Sequence, residues 1–450
     1  MELKPGIISR LLQDVVRPGS LGGESVTIFI ADSAVMVIGI ASSILTARLF
    51  GPAGRGIITM VSLIPMTMFY VGCFGLPDTA AYFLSRFRER VAENFYTILA
   101  LTCLAGILIV AASYCSLDWW HHYYHAYPRQ YFVIVLPVGL FFTMVVTIRF
   151  GFLGLGQIWN FNLINIVQAF GFLLVVVIAG VLLQKDLEWY FWLTLINSML
   201  MLILVLALTR KRPELRTVPR RHNLAGILSY AARIYPTSII FVLQIRLDHF
   251  LIGYFLEPRE LGIYSIAIFL SENLLRITAA FQMALFPRVS ADWTDQKYAL
   301  VARVLRATNL INIALTIIIA GLGYPLILLL FGKAFAPAYI PLLVLLAGRV
   351  PEGLYKITSS TFAAIGRPGL PSFFGTAGIM VNGILGLLLI PKMGLLGASL
   401  AKTLSLCVQF VPAFLFFLKQ SKLSFSQCLA FSREDWEMLK TRLRAFLSSL

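Results

Sequence analysis

Apolar runs of helix length recur along this chain, and most of them end at a glycine, a proline or a cluster of basic residues. About 20 apolar residues cross the ~30 Å hydrocarbon core of a bilayer as an α-helix. Inside hydrocarbon the backbone must satisfy its own hydrogen bonds, which leaves helices as the spanning element. The 450 residues are 59% hydrophobic and 13% charged, with a mean hydropathy of +0.83. That is more apolar surface than a soluble core needs, so the expected fold is all-α and polytopic, with about twelve transmembrane helices. The spans are expected near 25–48, 57–84, 95–116, 130–152, 160–182, 189–209, 226–255, 261–286, 306–331, 338–364, 370–391 and 395–418. Several hold a proline (Pro65, Pro77, Pro137, Pro236, Pro325, Pro351, Pro412). Membrane helices tolerate this because neighbours re-satisfy the freed carbonyls, and the kinks can act as hinges.

The chain carries a repeat. Phe50-Gly51-Pro52-Ala53-Gly54-Arg55-Gly56 is a tight break between the first two runs, and it returns as Leu256-Glu257-Pro258-Arg259-Glu260-Leu261-Gly262 after the seventh. Leu155-Gly156-Gln157 after the fourth run likewise matches Ile365-Gly366-Arg367 after the tenth. These correspondences imply two pseudo-symmetric six-helix lobes in the same orientation, around a central cavity. The boundaries read as an amphipathic segment at 1–23, lobes at 24–209 and 224–418, a basic linker at 210–223 and a basic tail at 419–450.

A formal net charge of +16 would point to nucleic acid in a soluble protein. Here the basic residues gather in short loops on one side, at Arg86, Arg88 and Arg90, along Arg210–Asn223, and at Arg303, Arg306 and Arg367. The bias reads as topology and places both termini in the cytoplasm, with no nucleic-acid partner. Residues 7–16, and a face of Trp436, Leu439, Leu443 and Leu447 after Ser432-Arg433-Glu434-Asp435, are expected to lie on anionic lipid as surface helices. Residues 1–20 lack the apolar core of a signal peptide. The five cysteines show no metal-ligand spacing and read as packing residues. In Trp119-Trp120-His121-His122-Tyr123-Tyr124-His125, the pair His121 and His125 has a spacing that could hold a metal. An interfacial aromatic belt is the preferred reading. No nucleophile elbow, phosphate loop or carboxylate pair is present, so the chain is read as a non-enzyme with no cofactor and no metal.

The candidate chemistry is the charge inside the spans: Asp32, Asp78, Arg149, Arg233, Arg246, Asp248, Glu272, Arg276, Arg349, Glu352, Lys356 and Lys402. A charge at mid-helix costs roughly 2.5–3.5 kcal/mol on insertion scales, so each should face a protein interior or a wet cavity. Part of the set can pair locally. Glu272 and Arg276 are four apart, and Arg349, Glu352 and Lys356 share one helix face. Arg149 can snorkel to the cytoplasmic rim. Asp78, after Gly75-Leu76-Pro77, reads as a cap on a broken helix. Cations outnumber acids in the set, which points to a cavity with net positive lining suited to a phosphate or pyrophosphate. Arg246 and Lys402 are open to either substrate contact or pairing. Arg233 sits about 140° from Arg246 on an ideal helix and could share a cavity with it only through a kink at Pro236. Asp32 is either a coupling-ion site or a hydrogen-bonded carboxyl beside Ser33.

The opening motif resembles that of Wzx-type polysaccharide flippases of the multidrug/oligosaccharidyl-lipid/polysaccharide exporter superfamily. So do Arg246-Leu247-Asp248 with Leu261-Gly262-Ile263-Tyr264, Phe286-Pro287-Arg288-Val289-Ser290, Ala364-Ile365-Gly366-Arg367 and Ile390-Pro391-Lys392-Met393-Gly394-Leu395-Leu396-Gly397-Ala398. The likeness runs from about residue 24 to 418. It implies two six-helix lobes around a V-shaped cavity in the cytoplasmic (inner) membrane. The implied activity is flipping of an undecaprenyl-pyrophosphate-linked oligosaccharide, with membrane lipids, a polymerase and assembly proteins as partners. Arg233, Arg246, Arg349, Lys356 and Lys402 are the positions able to supply the cavity cations such a family uses. A cation-coupled multidrug exporter and a non-transporting scaffold of a polysaccharide assembly complex are the alternatives.

Overall fold

The computed structural model describes residues 21–212, 215, 224–290, 297–367, 369–430 and 440. The segment at 7–16, most of the linker at 210–223 and, apart from Lys440, the tail from 431 lie outside the described residues. Among the described residues there is no strand, and ten stretches are long and apolar enough to cross a membrane.

Two compact units divide the chain, Met1–Ile239 and Ile240–Leu450. The first holds α1 (Leu21–Gly72), α2 (Leu76–Arg86), α3 (Val91–Cys115), α4 (Leu117–Tyr123), α5 (Arg129–Gly154), α6 (Ile158–Val177) and α7 (Leu187–Arg210). It also takes the beginning of α8 (Leu224–Phe255), whose remainder belongs to the second unit. There follow α9 (Pro258–Asn273), α10 (Leu275–Ser290), α11 (Lys297–Leu330), α12 (Tyr339–Ala364), α13 (Gly369–Ser421) and α14 (Phe425–Leu429).

Two of the apolar stretches, Ile30–Gly72 and Gly369–Ser421, run to 43 and 53 residues, more than twice what one crossing needs. Each contains one glycine with non-helical torsions, Gly51 (φ 67°, ψ −175°) and Gly394 (φ 56°, ψ −133°). Both positions reverse the chain. Arg55 donates from Nη1 to the Ser43 carbonyl at 2.6 Å and from Nη2 to the Ser43 hydroxyl at 2.9 Å, twelve positions back. A straight helix would separate those residues by about 18 Å, beyond any side chain. In α13, a Cβ on Gly397 would run into the Leu389 carbonyl group, an approach that again requires a fold-back at Gly394.

The runs read as spans two and eight are broken inside. Phe74 and Gly75 adopt φ of 49° and 69° between α1 and α2, and Pro77 opens α2, where its missing N–H costs nothing. Asp78 sits in the first turn of α2 but makes no capping hydrogen bond. Tyr235 of α8 stacks on Phe74 at 4.2 Å and donates to the Val71 carbonyl at 2.8 Å, so it supplies the bond that the broken helix end lacks. The break between α9 and α10 follows Asn273, whose amide donates to the Phe269 carbonyl at 2.7 Å in competition with the backbone.

The two matched Gly positions end α5 and α12 in the same way. Gly156 (φ 73°) and Gly366 (φ 78°) donate to Leu153 and Ala363, while Gln157 and Arg367 donate to Phe152 and Phe362. Both are Schellman closures, which satisfy orphan carbonyls and call for a left-handed residue.

Each unit packs its own core. Leu76, Phe83, Leu84, Phe95 and Phe152 anchor the first, and Leu305, Leu354, Phe362, Phe374 and Phe417 the second. At the end of α13, helix α14 turns back onto α11. Arg306 donates to the Gln427 carbonyl, Asn309 donates to the Leu429 carbonyl at 3.1 Å, and Phe425 packs on Phe414. Cys428 is fully buried beneath it, whereas Cys115 is exposed. All five cysteines are free. Helix α4, after α3, begins a chain of ring contacts from Trp119 through Trp120 to Tyr124, with Arg129 paired to Asp118 at 2.9 Å.

Two outcomes check this description. Gly366→Ala has room for its methyl but must hold a positive φ, so it should lower stability by about 1 kcal/mol. Gly39→Ala, in open space within α1, should not; thermal unfolding in detergent measures both. Burial pushes the Cys428 thiol up to about 11. Its maleimide labelling should therefore be negligible at pH 7.5 and rise only as pH approaches that value, while Cys115 labels readily.

Candidate functional site

The functional question concerns what each charge inside the helices meets. The second unit holds most of the acids, and it uses them on its own cations. Asp248 in α8 is 1% exposed. It accepts from Tyr264 of α9 at 2.8 Å, faces His249 at 3.2 Å and pairs with Lys402 of α13 at 3.8 Å. The Lys402 ammonium also donates to the Gln244 carbonyl at 2.6 Å, and the Gln244 amide donates to Gln409 of α13 at 2.8 Å. Gln244 and Asp248 are one turn apart on α8, so this set of bonds fastens one face of that helix to α13.

A second cluster centres on Arg349 of α12, 2% exposed. It donates to Glu352 at 2.6 Å and to the Ser271 hydroxyl at 3.1 Å, and it stands 3.9 Å from Glu272. Lys356 meets the same Glu352 at 3.5 Å, as the spacing along α12 requires. Glu272 faces Arg349, while Arg276 is exposed and donates to Asn273 at 2.9 Å. The expected Glu272–Arg276 pair is therefore replaced by a contact across helices.

The arginines differ. Arg246 lies two positions from both Gln244 and Asp248, hence on the far side of α8 from the α13 contacts. It is half-buried, and its Nε is buried with no hydrogen-bond partner. Arg233, in the part of α8 that belongs to the first unit, is exposed, and its guanidinium donates to Ser229 at 3.2 Å. Asp32 on α1 is exposed. Arg149 on α5 is half-buried beside the rings of Phe150 (5.7 Å) and Phe161 (5.5 Å), which touch each other, and it donates to Asn165 of α6 at 2.5 Å. Sequence reasoning did not find Tyr264, His249, Gln244, Gln409 or Ser271. Their only signal was polarity within apolar runs.

Among the described residues no cluster of His, Cys, Asp and Glu could hold a metal ion. What the arrangement offers is electrostatic. Two neutralised clusters brace the second unit, while Arg149, Arg233 and Arg246 have no ion pair among the described residues.

A family model described as polysaccharide biosynthesis protein matches residues 45–340, and one described as lipid II flippase MurJ matches residues 249–443. Two curated proteins of Haloferax volcanii are similar. The probable low-salt glycan biosynthesis flippase Agl15 is 24% identical over 43% of this chain and 42% of its own length. The probable flippase AglR is 29% identical over 37% and 36%. The chain thus aligns with about two-fifths of those relatives' lengths. Among solved structures, lipid II flippase MurJ in its inward closed conformation gives a TM-score of 0.72 at 14% identity, covering 95% of this chain and 93% of that one. An inward-facing multidrug resistance MATE family transporter of the MOP superfamily gives 0.72 at 14% identity, covering 86% and 94%. The likenesses to solved structures show the fold, that of a multi-pass helical membrane protein.

Lys402→Met should leave the buried Asp248 carboxylate uncompensated and destabilise the protein by about 3–5 kcal/mol. The double variant Lys402→Met/Asp248→Asn should be less destabilised than Lys402→Met alone, since no isolated charge remains. Chemical denaturation of the purified variants in one detergent supplies the comparison.

Proposed function

The chain belongs to the polysaccharide biosynthesis protein family matched over residues 45–340. On that premise we propose that it is a flippase, moving a polyprenyl-pyrophosphate-linked oligosaccharide from the cytoplasmic to the outer leaflet for surface polysaccharide synthesis. The observation that carries the reading is Arg246, whose buried Nε has no hydrogen-bond partner and which has no ion pair among the described residues, beside neighbours whose charges are already met. In the proposed mechanism Arg246 and Arg233 bind the pyrophosphate in a cationic central cavity. The forked N–H groups of arginine match phosphate oxygens. Arg349, Lys356 and Lys402 are paired with carboxylates and brace the helices that carry the cavity. The sugars travel in water, the polyprenyl tail stays in lipid, and access alternates between the two sides.

The same reading assigns the protein to the inner membrane with both termini cytoplasmic, because the basic loops lie on one side. A polysaccharide polymerase and assembly proteins are the expected partners, and Asp32 is the candidate coupling-ion site. The fold also hosts multidrug transporters. Substrates of that kind are typically cationic, and arginines without carboxylate partners would repel them.

The decisive measurement is transfer of a fluorescent lipid-linked oligosaccharide in proteoliposomes. Arg246→Glu should slow it at least ~10-fold with normal insertion, the loss expected when charge-assisted hydrogen bonds to a phosphate go. An unchanged rate in both Arg246→Glu and Arg233→Glu would falsify the cavity mechanism.

A further inference from the structure

We infer that Arg149, in the first unit, is an anion-binding position for a phosphate or pyrophosphate head group. This rests on the reading of the chain as a mover of a pyrophosphate-linked lipid.

Two buried arginines in this molecule are held by oxygen acceptors, although Nη2 of Arg349 is itself buried without a hydrogen-bond partner. Both Nη groups of Arg55 donate to Ser43, and the residue is 8% exposed. Arg349 is held by Glu352, Ser271 and Glu272. Arg149 is treated differently. Phe150 of its own helix and Phe161 of α6 approach the guanidinium at 5.7 and 5.5 Å. Asn165 takes one Nη donor, and Nε is buried with no hydrogen-bond partner. No carboxylate lies within ion-pair distance among the described residues. The Asp32 carboxylate and the Tyr70 hydroxyl, both on α1, lie within electrostatic range.

Rings hold a cation without occupying its N–H groups. The rings therefore leave N–H groups of the guanidinium unoccupied, and the surroundings restrict its motion in advance, which lowers the entropy lost on binding. Phosphate oxygens fit such a fork, whereas an ammonium or a sugar hydroxyl does not need it. Asp32 is the opposing charge. Exposed and unpaired with Arg149, it repels an arriving anion, so its neutralisation should strengthen binding.

The test uses the full-length protein in phosphatidylcholine nanodiscs with farnesyl pyrophosphate as the probe. Arg149→Gln should bind at least ~10-fold more weakly. Arg149→Lys should be intermediate, since it keeps the charge and loses the fork. Asp32→Asn should bind more tightly, a change that a purely structural Arg149 would not produce. Wild-type affinity in Arg149→Gln overturns the inference. If that variant does not assemble, wild-type affinity in Arg149→Lys overturns it instead. Should Arg246→Gln weaken binding while the Arg149 variants do not, this site falls and the flippase reading stands. Failure of the unaltered protein to bind the probe removes both. Inorganic pyrophosphate and phosphatidylglycerol serve as competitors. Displacement by phosphatidylglycerol as effective as by farnesyl pyrophosphate would make this a phospholipid site and overturn the substrate assignment.

Discussion

Hydrocarbon solvates neither a peptide group nor a charge, and this constraint shapes every irregular feature of the chain. Where a helix stops inside the apolar region, the freed groups must find partners nearby. The Schellman bonds at Gly156 and Gly366, the Tyr235 hydroxyl on the Val71 carbonyl and the Arg55 guanidinium on Ser43 are different answers to that single demand. The last two come from residues distant along the chain. They therefore also fix tertiary structure, and a bond that repairs a helix end becomes a bond that sets where the next helix goes.

The same constraint divides the interior charges into two classes. Lys402, Arg349 and Lys356 each meet a carboxylate, and the aliphatic stem of Lys402 brings its ammonium onto both the Asp248 carboxylate and the Gln244 carbonyl. Such pairs brace helices, because breaking either partner strands a buried charge. Arg246 and Arg149 escape this treatment. Neither has a carboxylate within ion-pair distance among the described residues, and that distinguishes a brace from a binding position better than the presence of charge alone.

Much of the fold was legible because hydropathy, Gly/Pro punctuation and basic loops record the length of each helix and the places where it must end. The reversals at Gly51 and Gly394, and the matched closures at Gly156 and Gly366, follow from residues visible in the sequence. The local pairing of Arg349, Glu352 and Lys356 was equally legible, since helical spacing alone puts them on one face. The breaks at Gly75 and Asn273 were hidden inside apolar windows that register length and not torsion. The partners of Asp248 were hidden for a different reason. Tyr264 and Lys402 reach it from other helices, and no spacing rule connects them. Sequence reasoning weighed Glu272 against Arg276 because they are near in the chain, yet Glu272 faces Arg349 from another helix.

Arg149 and Arg349 are compensated in different ways, and the difference has a physical consequence. A guanidinium beside a carboxylate presents an almost neutral pair to a third party, because at short range the two fields cancel. A guanidinium beside aromatic rings keeps its full charge, since a ring quadrupole stabilises it without supplying a counter-ion. Arg149 is half-buried and Arg349 is 2% exposed, but only the first has no carboxylate within ion-pair distance among the described residues, so it presents the stronger field to an anion. Lysine could not replace it there on equal terms. Its compact ammonium is more strongly hydrated and has no planar face for the rings to cover. In this chain the surroundings that hold a cation therefore decide whether that cation remains open to a ligand.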